Sequence, residues 1–131
     1  MLLAIDTSTA QVGLALFDGT QVLSEMTWTT RQHHTTELAP ALSGLLVRSG
    51  SSMDMISALG VAIGPGSFTS LRVGLSLVKG IALARHLPVI GIPTLNIIAA
   101  GQPMGKHPLM AVIAGRKFQT ARRMISTVFS F

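Results

Sequence analysis

The sequence predicts an α/β domain built on a mixed sheet, and three observations lead there. Apolar and polar residues near the N-terminus alternate at the two-residue period of strands. Residues 35–49 instead carry apolar side chains at three- and four-residue steps. Strand-like and helix-like segments then take turns along the chain. At 131 residues the chain is one ordinary domain, long enough to bury a core without covalent staples.

Leu2-Leu3-Ala4-Ile5 is a short apolar run that stops at Asp6-Thr7-Ser8-Thr9, a cluster of turn-forming side chains. Residues 11–17 form a second strand, Asp18-Gly19 signals a hairpin, and residues 21–28 alternate as a third strand. Together these predict an antiparallel meander. Thr35 or Thr36 caps a helix that runs to residue 49 and stops at Gly50, with Leu38, Leu42, Leu45 and Leu46 as its apolar stripe. Residues 58–63 are a compact apolar strand that empties into Gly64-Pro65-Gly66. A second helix covers 69–86, followed by a strand at 88–92, a short helix at 94–100 and a strand at 109–114.

Hydrophobic residues make up 48% of the chain and charged residues 11%, which excludes a disordered chain and points to apolar surface kept for a partner. There is no cysteine, so disulfides and thiolate metal sites are excluded. No apolar run reaches the roughly 18 residues of a membrane span, and the N-terminus carries no basic-then-apolar leader. A cytosolic location is therefore expected. The net charge of +5 is not spread evenly: Arg31, Arg48, Arg72, Lys79 and Arg85 balance Asp6, Asp18, Glu25, Glu37 and Asp54. The excess lies in Lys106, Arg116, Lys117, Arg122 and Arg123. This basic tail is a candidate contact for RNA, although no aromatic stacking platform is interleaved with it.

The turn at Gly64, Pro65, Gly66 and Ser67 admits two readings. Its glycines and the helix start behind it suit an anion, or they simply turn the chain from sheet to helix. No Gly-Lys-Ser/Thr ending follows, so it is not a P-loop. Helix 69–86 is apolar nearly all round and is expected to be covered on several sides. Its small residues Ser70, Gly74, Ser76, Gly80 and Ala84 imply close packing by the chain's own sheet or by a second protein's helix. His33 and His34 precede a helix, where histidine is ordinarily solvent-facing or capping, and Ser67 has no placed base to make it a nucleophile.

The string GPGSFTSLRVGLSLVKGIA, from Gly64 onward, resembles the signature of the TsaB (YeaZ) family, with Ser70 where the family usually has glycine. Asp6-Thr7-Ser8 is similar to the family's opening motif, His34, Leu38 and Pro40 to its helix start, and Gly91-Ile92-Pro93-Thr94-Leu95 to a later segment. These matches run in order over about residues 2–114. The resemblance implies an actin/Hsp70-like ASKHA (ribonuclease H-like) fold. Residues 1–114 would be an N-terminal lobe, and 115–131 the start of a truncated second lobe or a basic tail. Gly115-Arg116-Lys117 resembles the family's post-strand turn, and residues 124–131 alternate like a strand.

The resemblance further implies a non-catalytic subunit without a cofactor, paired with a TsaD-type catalytic paralogue and a TsaE-type ATPase. That complex transfers threonylcarbamoyl from threonylcarbamoyl-AMP to the tRNA adenosine beside the anticodon, so tRNA would be met mainly through the complex. Family members dimerise through their first two helices. This makes Leu38, Leu42, Leu45, Ser70, Gly74, Leu77, Val78 and Ile81 the expected interface, in a heterodimer or a homodimer. The TsaD paralogue holds a metal with a His-x-x-x-His pair, but alignment on Gly91 puts Thr94 and Ile98 there, and isoleucine cannot ligate. The alternative is a small ASKHA-type phosphotransferase in which Asp6, Thr7 and Ser8 face phosphate or Mg²⁺. Asn96, where the family has an acid, has no interpretation from sequence.

Overall fold

β1 (Leu2–Asp6) and β2 (Gln11–Phe17) bury every second residue, as the sequence alternation requires. The antiparallel register sets Leu3 opposite Leu16 and Ile5 opposite Leu14, all buried on one face of the sheet. β3 (Val22–Thr29) continues the meander beside β2, with a register shift at Leu16/Phe17. Asp18 closes the hairpin between them: its Oδ1 accepts the Gln21 and Thr20 backbone N–H groups and the Thr20 hydroxyl. These bonds hold its carboxyl below the usual aspartate range.

β4 (Ala58–Ala62) lies parallel to β1 and β5 (Val89–Ile92) parallel to β4, giving a five-stranded mixed sheet in the order β3-β2-β1-β4-β5. Parallel neighbours need crossovers, and helices supply them. α1 (His34–Arg48) packs on β2 and β3, while α2 (Phe68–Arg85) packs on β1, β4 and β5. Leu38, Leu42 and Leu45 of α1, Val78 of α2 and the buried set of β1, β2 and β4 form one continuous core. Trp28 on β3 pins the start of α1, its indole N–H donating to Glu37 Oε2 at 2.9 Å. The computed structural model describes residues 1–30, 34–102, 109–113 and 121–125.

Two helix starts differ from the sequence expectation. α1 begins at His34, so Thr35 and Thr36 lie in its first turn and neither is the cap. It ends as expected: Gly50 has φ +62°, its N–H reaches the Val47 carbonyl, and the Ser51 N–H reaches Leu46. This is the paired closure of a Schellman motif. α2 starts at Phe68 and ends at Arg85, capped by His86, a left-handed residue (φ +54°) that is not glycine.

After α3 (Thr94–Ala100), β6 (Leu109–Ile113) does not extend the main sheet. It pairs antiparallel with β7 (Ala121–Ile125) in a separate two-stranded sheet, with α3 packed on β6. The strand expected at 124–131 thus begins earlier, because Ala121 to Ile125 finds its partner in β6, with Leu109 opposite Ile125 and Ile113 opposite Ala121. Residues 126–131, the turn at Gly115-Arg116-Lys117 and Lys106 lie outside the described residues. No helix among the described residues is long and apolar enough to cross a membrane.

Candidate functional site

The three parallel strands bring their carboxyl ends, Asp6, Ala62 and Ile92, to one edge of the sheet, where open α/β folds bind ligands. Asp6, Thr7 and Ser8 leave β1 there, and Gly64, Pro65, Gly66 and Ser67 leave β4 beside them. Gly64 has φ +104°, which only glycine adopts without cost. The two segments are bonded to each other. The Ser67 N–H donates to the Ser8 carbonyl at 2.8 Å, and the Thr7 hydroxyl, buried, donates to the Ser70 carbonyl at 2.8 Å. Ser70 Oγ donates to Ser67 Oγ at 3.0 Å. Asp6 Oδ1 accepts both the N–H and the hydroxyl of Ser8, at 2.8 and 2.6 Å.

These bonds tie the end of β1 to the turn after β4. A Cβ on Gly66 would stand 2.2 Å from the Ser8 carbonyl oxygen, so the Gly66 backbone lies directly against the end of β1. Behind the turn, the Thr94 N–H donates to the Gly64 carbonyl at 2.8 Å. Thr94 itself is fully buried, and its Oγ1 has no hydrogen-bond partner among the described residues. One hydroxyl beside the apolar Ile98 is not a donor set that fits a divalent metal. Among the described residues no three His, Asp or Glu side chains come together. His33 lies outside those residues and His34 is the first residue of α1.

The eight expected interface residues divide sharply. Leu38, Leu42, Leu45, Ser70, Gly74 and Val78 are buried within this chain. Their apolar stripes face the sheet, which is what a stripe does when its own domain supplies the cover. Only Leu77 and Ile81 are partly exposed, and both line grooves along α2. α2 is also less covered than its composition predicts: Phe68 is 73% and Leu83 78% exposed.

Its small residues fall into two sets. Ser70 and Gly74 face Thr7, whereas Ser76, Gly80 and Ala84 line the outer grooves. The sequence reading missed Phe68 and Arg72, whose guanidinium lies over the Phe68 ring at 5.3 Å from its centre. Their four-residue spacing was the available signal.

The Thr7–Gly74 contact yields a direct test. A methyl on Gly74 would meet Thr7 Oγ1 at 2.3 Å. Gly74→Ala should cost about 2 kcal/mol net, although alanine gains about 1 kcal/mol in helix propensity. In a Thr7→Ala background the same change should cost little, a coupling on the order of 1–2 kcal/mol in urea denaturation. Simple additivity of the two changes would show that this packing is absent.

Comparison with known proteins follows the same outline. The family model described as "TsaD: tRNA N6-adenosine threonylcarbamoyltransferase" matches residues 21–123. The chain is 39% identical over 117 residues to the tRNA threonylcarbamoyladenosine biosynthesis protein TsaB of Escherichia coli strain K12, covering 88% of this chain and 50% of that protein. It is 33% identical over 106 residues to the Bacillus subtilis strain 168 protein of the same name, covering 81% and 45%. Among solved structures, YeaZ from Pseudomonas aeruginosa superposes with a TM-score of 0.85 at 27% identity, over 96% of this chain and 64% of that one. The chain thus spans about half the length of these two TsaB relatives.

Proposed function

Since the chain belongs to the family described as TsaD: tRNA N6-adenosine threonylcarbamoyltransferase, and within it to the TsaB (YeaZ) group, we propose that it is a non-catalytic partner subunit in making threonylcarbamoyladenosine on tRNA. Its partner is a TsaD-type catalytic paralogue, with a TsaE-type ATPase in the same assembly, and tRNA is met through that assembly. The observation that carries this reading is the closed turn. Gly66 lies against Ser8, the Ser67 N–H is bonded to the Ser8 carbonyl, and Thr94 and Ile98 stand where the resemblance puts the paralogue's histidines. The close seating of the turn on β1 supports a non-catalytic role, and the exposed Phe68 and Leu83 on the outer side of α2 support docking of a protein there.

The contact surface on this reading comprises the exposed side of α2, the partly exposed Leu77 and Ile81, and the neighbouring edge of α1. The basic residues toward the C-terminus are a secondary contact for tRNA, and the site of action is the cytosol.

Reconstitution tests the reading. TsaD-type and TsaE-type proteins, tRNA and threonylcarbamoyl-AMP are combined with and without the folded chain, and modified adenosine is counted by mass spectrometry of digested tRNA. The chain should raise modification at least tenfold, modify nothing alone, and co-purify with the TsaD-type protein. Equal modification with and without it, together with failed co-purification, would overturn the proposal.

A further inference from the structure

β5 ends the main sheet, and no strand among the described residues pairs with its outer side. The Pro88 and Ile92 carbonyls accept the Leu59 and Ile63 N–H groups of the β4 segment. A parallel ladder bonds alternate residues, so Ile90 also faces β4, while Val89 and Gly91 direct their N–H and C=O groups outward. Beyond them no donor remains: Pro93 has no N–H, and the Leu87 N–H is taken by the Ala82 carbonyl. The side chains on this edge are apolar and bare. Val89 is 44%, Ile63 50% and Ile90 54% exposed. Ile63 lies over Gly91, where an added Cβ would meet its Cγ2 at 2.8 Å. Exposed edges are ordinarily blunted by charge, and the far edge, β3, carries Glu25. From Leu87 to Thr94 there is no charged residue.

We propose that β5 is a self-pairing edge that joins two copies of this chain, antiparallel, about a two-fold axis at Ile90. Val89 then faces the other copy's Gly91, and Gly91 the other copy's Val89. Both residues carry an outward N–H and an outward C=O, so each of the two pairs exchanges two hydrogen bonds, and every outward donor of both edges is satisfied. Ile90 faces its own twin as a non-hydrogen-bonded pair, the closer kind, at about 4.5 Å between Cα atoms. On the other face Val89 lies beside the other copy's Gly91, where Ile63 fills the space that glycine leaves. Ile63, Val89 and Ile90 are thereby covered in each copy. An axis at Gly91 would instead set Val89 against Pro93, which offers no N–H and whose carbonyl already accepts the Asn96 and Ile97 N–H groups. The register at Ile90 is therefore the one that the edge specifies. After Pro93 the Thr94 N–H bonds the Gly64 carbonyl, which turns the chain toward β4 and away from the incoming strand. This contact lies on the sheet edge and goes beyond the partner reading, which concerns α1 and α2.

Substitution on the axis tests this with the whole chain. In sedimentation velocity the wild type should dimerise with a Kd on the order of tens of micromolar. Ile90→Lys and Ile90→Glu, each checked for folding by circular dichroism, should weaken that at least tenfold, because like charges then stand directly opposite. Their equimolar mixture at about 50 mM salt should regain the dimer, since opposite charges now meet across the axis. Amide hydrogen exchange needs no variant: exchange at Val89 and Gly91 should slow as the wild-type concentration rises. A wild type that stays monomeric, self-association equal in the wild type and both variants, or a mixture no tighter than its components overturns the inference. So does exchange at Val89 and Gly91 that is independent of concentration. Binding to the TsaD-type protein should be the same for the wild type and Ile90→Lys. Absence of that binding from both, with the self-pairing results as expected, would sink the partner reading alone.

Discussion

Leu45→Ala is expected to lower the unfolding free energy by about 3–4 kcal/mol and the melting temperature by about 10 °C, while the affinity of the folded protein for its partner stays within about twofold. Leu45 is fully buried and packs with Leu38, Leu42 and the β-strand leucines in one cluster. Removing its branched end leaves a cavity that the sheet behind it cannot close, since strand positions are fixed by their ladder. The reading is convenient because the chain has a single tryptophan, Trp28, whose indole is bonded to Glu37 of the same helix. Its fluorescence reports α1 docking directly in a urea titration. A loss of less than about 1 kcal/mol would place Leu45 outside the core. Weakened partner binding at unchanged stability would return Leu45 to the interface.

That contrast shows what the residues could and could not disclose. The meander, the two long helices and the mixed sheet were legible because their periods, two and three-to-four, differ and persist over whole segments. The apolar stripe of α1 was equally legible, but a stripe looks the same whether its own sheet or another chain covers it. Leu38, Leu42 and Leu45 fit either cover by sequence, and in the structure they are buried under this chain's own sheet. On α2 the ambiguity is finer. Ser70 and Gly74 on one side, and Ser76, Gly80 and Ala84 on another, belong to interleaved four-residue series, and only the approach of Thr7 separates them. The exposed Phe68 lies one residue before the helix start that the sequence predicts, so its place on the helix face was not legible. The separate β6–β7 sheet was hidden for another reason, since pairing between segments is not a local property.

Gly66→Ala should cost about 3 kcal/mol, more than the ordinary price of overfilling a side-chain core, because nothing at this site can yield. The new Cβ would lie 2.2 Å from the Ser8 carbonyl oxygen and 3.0 Å from both its carbonyl carbon and its Cβ. That oxygen is held by the Ser67 N–H, and Ser8 is held in turn through its N–H and hydroxyl on Asp6. Relief therefore requires moving one backbone off another and breaking at least one of these bonds. The cost is steric and not conformational, since Gly66 lacks the positive φ that Gly64 has. Gly80→Ala supplies the control: nothing lies within 4 Å of its added carbon, so helix propensity should stabilise the protein by up to about 1 kcal/mol. Opposite signs for two glycine-to-alanine changes in the same signature stretch, measured by urea denaturation, would establish that Gly66 is required by the closure of the turn on Ser8. Equal small effects would mean that the turn and β1 stand apart, and the cradle would then be open to a ligand after all.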